Sequence, residues 1–391
     1  MHASYRNRGG EDFVVDDERA MLAAAGHDVH QHIVVNPSGL AETSRALATS
    51  VWNRRAGNEI GSLVSSLRPD IAHVHNTWFA LSPSVVAALQ EQGIPVVVTL
   101  HNFRLMCANA VLFRDGHLCE DCVGRSPVPA VVHRCYKGSV VLSSTVALSI
   151  AVHRRLGTWA RYVDRFIVMS EAARAKMIVG GIPAEKLVVR ENFARDPGER
   201  PAPPSASRSV VFVGRLSPEK GVDVLLDAWR EAQLTDLELV VIGDGPLRTQ
   251  LESMDVTGVR FVGAQSPSRV AEHMLSARSL VFPSGWPEVG PRVPLEAFAA
   301  GLPVLASDCV AIASVIERAG AGSSFGMGSR SDLVRALGSL EDAGYVDSAG
   351  RAARQLFTDR FNPTRAIAGL EAIYRGAFAA RNEGHESPRQ S

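Results

Sequence analysis

The sequence predicts an α/β protein made of two doubly wound, Rossmann-like domains in tandem. Short runs rich in β-branched residues alternate with amphipathic helical segments from Gly26 onward, which is the pattern of parallel sheets. The alternation stops in the Pro- and Ser-rich stretch 196–208 and then begins again. At 391 residues the chain also exceeds one ordinary hydrophobic core.

The first predicted domain covers residues 1–195. Amphipathic segments separate its strands, and one of these segments ends at Gly93, a residue type typical of a helix C-terminus. Only a few, mostly polar residues precede Gly9, so we expect the first strand to be missing or the natural start to lie upstream. Residues 103–138 are predicted to form an insertion that contains cysteines. The predicted strands read HDVHQHIVV, IAHVHN, PVVVTLHN, RFIVMS and KLVVREN.

The stretch 196–208 is predicted to be a linker, and the second domain covers 209–362. Each of its strands is followed by a helical pattern. An amphipathic helix is predicted over 363–382, and the polar residues 383–391 are predicted to be disordered. The predicted strands read SVVFVGRLS, LELVVIGDG, VRFVG, SLVFPS and PVLASD.

Charge and hydropathy exclude some functions. Lys plus Arg and Asp plus Glu both number 41, so no net field indicates a nucleic-acid partner. The chain opens without an apolar signal segment, which predicts a cytoplasmic protein. The longest apolar stretch, 139–152, is too short to span about 30 Å of hydrocarbon. It is either a buried helix or, because basic residues flank it, a peripheral contact with the inner face of the membrane.

Two glycine-containing motifs follow predicted strands of the second domain. In VGRLSPEKG, Arg215 and Lys220 precede a helix, and Gly214 lies beside them. Two cations next to free N–H groups at a helix start suit an anion such as a diphosphate. Two solvated surface cations are the alternative. IGDGP, which contains Gly243, repeats the strand-end pattern one unit later, where glycine lets a ligand approach the backbone.

The segment GWPEVGPRVPLEAFAAGLPV contains two carboxylates, Glu288 in a loop and Glu296 in the first turn of the next helix. Carboxylates at the end of a parallel strand can accept hydrogen bonds from sugar or ribose hydroxyls. The alternative for Glu296 is an exposed partner of the helix dipole.

The motifs GRLSPEKGVDVLLDAW, GDGPL, RFVG and PSGWPEVGPRVPLEAFAAGLPVLASD make residues 209–308 resemble retaining glycosyltransferases of family 4. The resemblance implies the GT-B fold, in which two Rossmann-like domains face a cleft. It also implies that Arg215 and Lys220 neutralise the diphosphate of a nucleotide-sugar donor. Glu296 would hold the ribose and Glu288 the transferred sugar, while the backbone around Val262 borders the base.

One residue departs from this family pattern. Pro291 stands where the family usually has glycine, and it has no N–H to offer the sugar or phosphate.

The first half also resembles the family. Gly9 and Gly10 resemble its glycine loop beside the donor phosphate and the acceptor. His101 ends a strand at the position where the family has a histidine that reaches the transferred sugar, although a purely structural role is the alternative. His75 is a weaker candidate. The predicted catalytic residues are therefore His101, Arg215, Lys220 and Glu288.

Four of the five cysteines are clustered: Cys107, Cys119, Cys122 and Cys135. In a cytosolic chain this clustering predicts a structural zinc site rather than disulfides. Unliganded thiols and an iron–sulfur cluster are the alternatives. The segment resembles that of a cysteine-containing subset of family 4.

The predicted activity is transfer of a sugar, with retention, from a nucleotide-diphosphate donor to an acceptor hydroxyl. The family resemblance implies a saccharide or lipid-linked saccharide acceptor, a role in polysaccharide biosynthesis, and no metal for catalysis. Two alternatives stay open at this point. One is a nucleotide-sugar epimerase of the same architecture, and the other is a non-catalytic nucleotide- or zinc-binding relic.

Overall fold

The computed structural model describes residues 1–4, 9–36, 46–47 and 49–386, which form two compact units. Unit 1 comprises Met1–Leu112, Glu120–Glu191 and Ala366–Ser391, and unit 2 comprises Phe113–Cys119 and Asn192–Arg365.

In chain order the strands are β1 (His2–Ser4), β2 (Ile33–Val35), β3 (Ala72–Val74), β4 (Val96–Thr99), β5 (Phe113–Arg114), β6 (His117–Leu118), β7 (Arg165–Val168), β8 (Leu187–Val189), β9 (Ser209–Val213), β10 (Glu238–Ile242), β11 (Val259–Gly263), β12 (Ser279–Phe282), β13 (Val304–Ser307) and β14 (Gly322–Phe325). The α-helices span Gly10–Ala24, Arg54–Leu67, Ser84–Glu91, Val128–Val132, Val140–Arg155, Thr158–Tyr162, Glu171–Val179, Val222–Ala232, Arg248–Glu252, Pro267–Leu275, Val293–Ala299, Ala313–Ala319, Arg330–Gly338, Ala343–Leu356 and Pro363–Glu386.

Unit 1 contains a parallel sheet in the order β3-β4-β7-β8 and a parallel pair β1-β2. The expectation that the first strand is missing is wrong. His2–Ser4 pairs with Ile33–Val35, and the Ala3 amide donates to the Asn76 carbonyl at 2.8 Å. The polar His2 of this strand is buried, and its Nε2 lies 2.9 Å from the Asp12 carboxylate.

Unit 2 is a six-stranded parallel sheet in the order β11-β10-β9-β12-β13-β14. Residues of β9 such as Val210 and Phe212 are at most 1% exposed, because helices cover both faces of the sheet. The chain builds outward from β9 through β10 and β11, and then returns to place β12 on the other side of β9. The strand order therefore reverses between β9 and β12, and crevices at such reversals bind ligands in doubly wound folds.

The stretch 196–208 lies within unit 2. Arg200 donates to the carbonyls of Met274 and Ala300 at 3.0 Å, and Pro204 is buried. The chain passes from unit 1 to unit 2 after Glu191.

The last helix extends beyond its predicted end. Pro363–Glu386 is helical, so residues 383–386 are not part of a disordered tail, and 387–391 lie outside the described residues.

The apolar stretch 139–152 falls in the helix Val140–Arg155, where Ser139 Oγ accepts from the Leu142 amide. Val146 is buried, whereas Val141 is 72% and Leu148 55% exposed, so the helix is only half covered. None of the described helices is both long and apolar enough to cross a bilayer.

Candidate active site

The loops that follow β9 and β10 are in direct contact in unit 2. The Gly214 amide donates to the Ile242 carbonyl at 3.0 Å, and the Leu216 amide donates to the Asp244 carbonyl at 3.0 Å. Gly243 has φ 146°, and a Cβ there would lie 1.8 Å from the Gly214 oxygen. Only glycine permits this approach, so both predicted glycine motifs end at one edge of the sheet.

The loop after β9 is also tied to the loop after β12. The Gly285 amide donates to the Glu219 carbonyl at 2.8 Å. Gly221 adopts φ 66°, and a Cβ there would lie 2.2 Å from the Pro283 oxygen. Gly221 also precedes the helix Val222–Ala232, so the helix start and the β12 loop meet where the strand order reverses.

Lys220 and Glu288 form an ion pair at this reversal. Lys220 Nζ lies 2.5 Å from Glu288 Oε1, and Ser284 Oγ donates to the same oxygen at 2.7 Å. The two charged side chains are 20% and 10% exposed. The Lys220 ammonium also lies 5.6 Å from the centre of the Trp286 ring, within cation–π range. The structure thus joins two residues that the sequence places 68 positions apart.

Arg215 and Glu296 complete the predicted polar residues at this edge of unit 2. Arg215 is exposed, with no ion pair among the residues that the structure describes. Glu296 lies in the first turn of Val293–Ala299, where its Oε1 accepts from Arg292 Nη2 at 3.0 Å. Val262 lies in β11, and its carbonyl accepts from Gln265 Nε2 at 2.8 Å.

Sequence reasoning missed three side chains around these glutamates: Ser284, Trp286 and Arg292. Arg292 could have been found, because a cation four residues before a carboxylate on one helix commonly pairs with it. Asn192 was missed as well, and its Nδ2 donates to the Gly290 carbonyl at 2.7 Å. Pro291 therefore follows a residue whose carbonyl is already held in place.

A histidine cluster forms the candidate site of unit 1. His101 follows β4, and its Nε2 lies 3.0 Å from His75 Nδ1. His75 Nε2 lies 3.4 Å from Glu18 Oε2. The other carboxylate oxygen of Glu18 is 2.5 Å from Arg190 Nη1. These groups come from four separate stretches of chain, and sequence reasoning missed Glu18 and Arg190.

His73 shares the cluster, since its Nδ1 lies 2.9 Å from the Tyr374 hydroxyl and its Nε2 lies 2.7 Å from Thr99 Oγ1. His73, His75 and Glu18 bring ligand atoms within 4.8 Å of one another, a spacing that a metal ion could bridge. The neighbouring Arg190 guanidinium already neutralises Glu18, and both His73 nitrogens have partners. The surroundings therefore fit a hydrogen-bonded cluster better than a cation site.

Burial sets the protonation of this cluster. Burial lowers the pKa of His101 to about 4, against the opposing effect of Glu18. Burial and the neighbouring histidines lower the pKa of His73 and of His75 well below the usual range. Burial alone would raise the pKa of Glu18, but the charge and hydrogen bond of Arg190, together with the neighbouring histidines, lower that pKa overall. At neutral pH the cluster is an ion pair flanked by uncharged imidazoles.

The predicted glycine loop precedes the helix Gly10–Ala24. The Gly9 amide donates to Asp12 Oδ2 at 2.9 Å, and Ser4 Oγ donates to the other oxygen of that carboxylate. A Cβ at Gly9 or Gly10 would meet nothing within 4 Å. The fold of unit 1 therefore does not itself require glycine at these two positions.

The clustered cysteines are half-buried and form no disulfide among the described residues. Cys122 and Cys135 pack against the same buried group, which includes Trp78 and Phe79. Cys107 Sγ donates to Asn109 Oδ1 at 2.9 Å. Cys119 is the last residue of Phe113–Cys119, a segment that belongs to unit 2.

Two family profiles together match most of the chain. "Glycosyltransferase Family 4" matches residues 8–194, and "Glycosyl transferases group 1" matches residues 199–355. The chain is 26% identical over 386 residues to a glycogen synthase of Mycobacterium tuberculosis, covering 95% of this chain and 83% of the relative. It is 36% identical over 156 residues to a GDP-mannose-dependent alpha-mannosyltransferase of the same organism, covering 38% of this chain and 40% of the relative.

Solved structures share the fold. Sucrose-phosphate synthase from Thermosynechococcus elongatus superposes with a TM-score of 0.71 at 18% identity, covering 97% of this chain and 96% of that one. Anabaena Alr3699/HepE in complex with UDP-glucose superposes with a TM-score of 0.63 at 18% identity, covering 95% and 99%. These likenesses confirm the predicted GT-B fold.

Proposed function

The chain belongs to the family 4 glycosyltransferases of GT-B fold, and we propose that it transfers a sugar from a nucleotide-diphosphate donor to an acceptor hydroxyl with retention of the anomeric configuration. The observation that carries the proposal is the paired Lys220 and Glu288 at the strand-order reversal, with Arg215 exposed in the same loop. A cation and a carboxylate side by side suit a ligand that joins a diphosphate to a hydroxylated ring.

In this mechanism, charge stabilisation replaces a catalytic metal. The diphosphate leaves as an anion while the sugar acquires oxocarbenium character. Arg215, Lys220 and the helix start at Gly221 stabilise the departing negative charge. Glu296 holds the ribose hydroxyls and Glu288 the sugar hydroxyls. His101 contacts the transferred sugar, and the leaving phosphate takes the proton of the acceptor hydroxyl on the same face.

The rate of sugar transfer in two variants tests the roles assigned to Arg215 and Lys220. Arg215→Ala and Lys220→Ala should each lower sugar transfer by about 10²–10³-fold, because each removes a group that stabilises the developing charge. Arg269→Ala is the matched control, since Arg269 is exposed and pairs with Glu272 on its own helix. Transfer at the control level by both site variants would contradict the proposal.

The two alternative functions have separate tests. An epimerase would convert a nucleotide sugar into an isomer without an acceptor, so product analysis of donor incubated alone identifies it. A non-catalytic relic of the fold would bind nucleoside diphosphates weakly or not at all, which titration calorimetry measures. Isomer formation, or the absence of nucleotide binding, would count against the transferase.

The similar proteins suggest which nucleotide sugars to test as donors. One relative depends on GDP-mannose, and one solved neighbour holds UDP-glucose. We propose a nucleotide sugar with one of these bases and a saccharide or lipid-linked saccharide acceptor in polysaccharide biosynthesis. A ligand that binds only the folded chain raises its melting temperature, so thermal shifts with UDP- and GDP-sugars should rank the donors.

We also propose that the protein works in the cytoplasm, in peripheral contact with the membrane. Val128, Val132 and Val141 are 60%, 68% and 72% exposed around the start of the helix Val140–Arg155, and Lys137 lies between them in the chain. Apolar side chains flanked by basic ones favour anionic lipid surfaces. Sedimentation with vesicles should show binding to anionic but not to neutral lipid, and Val132→Ser with Val141→Ser should weaken it. Equal binding to both vesicle types would contradict the proposal.

A structural zinc is proposed for Cys107, Cys119, Cys122 and Cys135. The packing of both Cys122 and Cys135 against one buried apolar cluster supports it, because that cluster brings the two residues to the same part of the fold. Thiolate ligation would cross-link the stretch 113–122, in which no residue is buried. Purified protein should contain one zinc per chain, and Cys122→Ser should lose it while Cys309→Ser retains it. Zinc-free wild-type protein would contradict the site.

A further inference from the structure

Three buried side chains and His101 contact one another in series. Arg190 Nη1 lies 2.5 Å from Glu18 Oε1, Glu18 Oε2 lies 3.4 Å from His75 Nε2, and His75 Nδ1 lies 3.0 Å from His101 Nε2. The Glu18 and His75 side chains are 3% and 6% exposed. All of these groups lie in unit 1. His101 is half-buried and is the last member of this series of contacts, and its Nδ1 has no hydrogen-bond partner among the described residues.

The chain of contacts dictates which nitrogens carry protons. Arg190 keeps Glu18 ionised. Glu18 Oε2 makes no hydrogen bond among the described residues, but its negative charge 3.4 Å from His75 Nε2 favours the proton on that nitrogen. His75 Nδ1 then carries a lone pair, because a neutral imidazole has one donor and one acceptor. The 3.0 Å contact is a hydrogen bond only if His101 Nε2 supplies the proton. His101 Nδ1 is consequently left as an acceptor.

We infer that Glu18 and His75 are positioning residues that hold His101 in the Nε2–H tautomer, so that His101 Nδ1 accepts a hydrogen bond from a hydroxyl of the transferred sugar. This inference deepens the proposed function and rests on it. The stacking of the two rings, with centroids 5.3 Å apart, fixes the ring plane as well as the tautomer. His73 supports the arrangement from the other side of His75, with ring centroids 4.2 Å apart.

The tautomer can be measured without any donor. In ¹⁵N-histidine-labelled full-length protein, long-range ¹H–¹⁵N correlations should show His101 protonated on Nε2, with the signal assigned by its loss in His101→Asn. His75→Asn places an amide oxygen near the former Nδ1 and should keep this tautomer. His75→Leu offers no acceptor and should release it. Nδ1-protonated His101 in the wild type would overturn the inference.

Kinetics separate positioning from simple folding. His75→Leu should lower kcat by about tenfold or more with a smaller change in donor KM, and His75→Asn should recover most of the loss. His153→Asn is the matched control: His153 is also a buried histidine of unit 1, bonded to Thr158 Oγ1 and the Val51 carbonyl but outside this chain of contacts. Equal kcat losses in His75→Asn, His75→Leu and His153→Asn would overturn the inference.

Two further outcomes are distinguishable. Loss of activity on chelation, restored by zinc in the wild type but not in His75→Asn, would show a metal in the cluster and overturn the inference. Failure of the wild type to transfer sugar from any screened donor would instead contradict the proposed function, and the tautomer measurement would still decide whether Glu18 and His75 orient His101.

Discussion

Replacing Lys220 by methionine tests the central pair by its effect on stability in the absence of any ligand. The substitution removes an ammonium 2.5 Å from Glu288 Oε1 and leaves a carboxylate that is 10% exposed, with Ser284 as its remaining partner. Breaking a buried ion pair on one side costs about 3–5 kcal/mol. Lys220 is 20% exposed, so water replaces part of the interaction, and we expect a loss of about 2–3 kcal/mol in the free energy of unfolding.

A double-mutant cycle isolates the pair. For a domain the size of unit 2, that loss should lower the melting temperature by about 5–10 °C in Lys220→Met. Glu288→Gln should cost less, because Lys220 can turn toward water. Combining the two should restore about 1–2 kcal/mol relative to the sum of the single effects. The exposed pair Arg269–Glu272, changed in the same way, should show almost no coupling. Additive effects of Lys220→Met and Glu288→Gln would refute the reasoning.

Three further predictions concern glycines and acid. In a denaturant titration, Gly243→Ala should destabilise unit 2 by about 3 kcal/mol or more, because φ is 146° and the new Cβ would lie 1.8 Å from the Gly214 oxygen. Gly338→Ala is the control: this glycine lies in a helix with open space around it, so the variant should be at least as stable as wild type. Gly10→Ala should leave the melting temperature unchanged but raise the donor KM, and an unchanged KM would remove the glycine loop from the donor site. Acidification from pH 7 to pH 5 should lower the free energy of unfolding by up to about 1.4 kcal/mol per pH unit through His101. The unfolded histidine binds a proton below its ordinary pKa, whereas the folded one has a pKa of about 4 and stays neutral. A stability independent of pH in this range would contradict the buried, neutral cluster.

The parallel-strand architecture was predictable because its signals are local. The run SVVFVGRLS predicts a strand that the structure places at Ser209–Val213. Gly221, in the loop that follows, is required because a Cβ there would lie 2.2 Å from the Pro283 oxygen. Continuous apolar runs identify strands that are buried on both faces, whatever their order in the sheet. Tandem doubly wound units follow from that alternation alone.

The pairings within the site were not predictable, because they depend on sheet order. Lys220 and Glu288 meet only because β12 returns to lie beside β9. Glu18 and Arg190 are 172 positions apart. On a single-sequence reading, Glu18 looks like a solvent-facing charge on an amphipathic helix, since nothing local shows that an arginine at the far end of the unit will neutralise it.

The histidines show what the alternation of side chains along a strand can predict and what it cannot. His73 lies in β3 and His75 directly follows that strand, two positions further on, so the alternation of side chains directs both to one face of the sheet, and the sequence alone allowed both to be structural. The structure gives them different surroundings: His73 lies between Tyr374 and Thr99, whereas His75 lies between Glu18 and His101. Only the tertiary contacts separate a packing histidine from one that can orient a neighbour.

The two glutamates of GWPEVGPRVPLEAFAAGLPV each pair with a cation, Glu288 with Lys220 and Glu296 with Arg292. The pairing holds each carboxylate in a fixed orientation, in which its oxygens can also accept hydrogen bonds from hydroxyl groups. In the proposed donor complex, a diphosphate beside Lys220 would not have to displace Glu288, because an ammonium has three N–H donors and can contact both anions. Further positive charge to offset the phosphate would come from Arg215, which is exposed in the same loop and has no ion pair among the described residues. Under the proposal, Lys220 is then the residue that couples the diphosphate contacts to the sugar contacts.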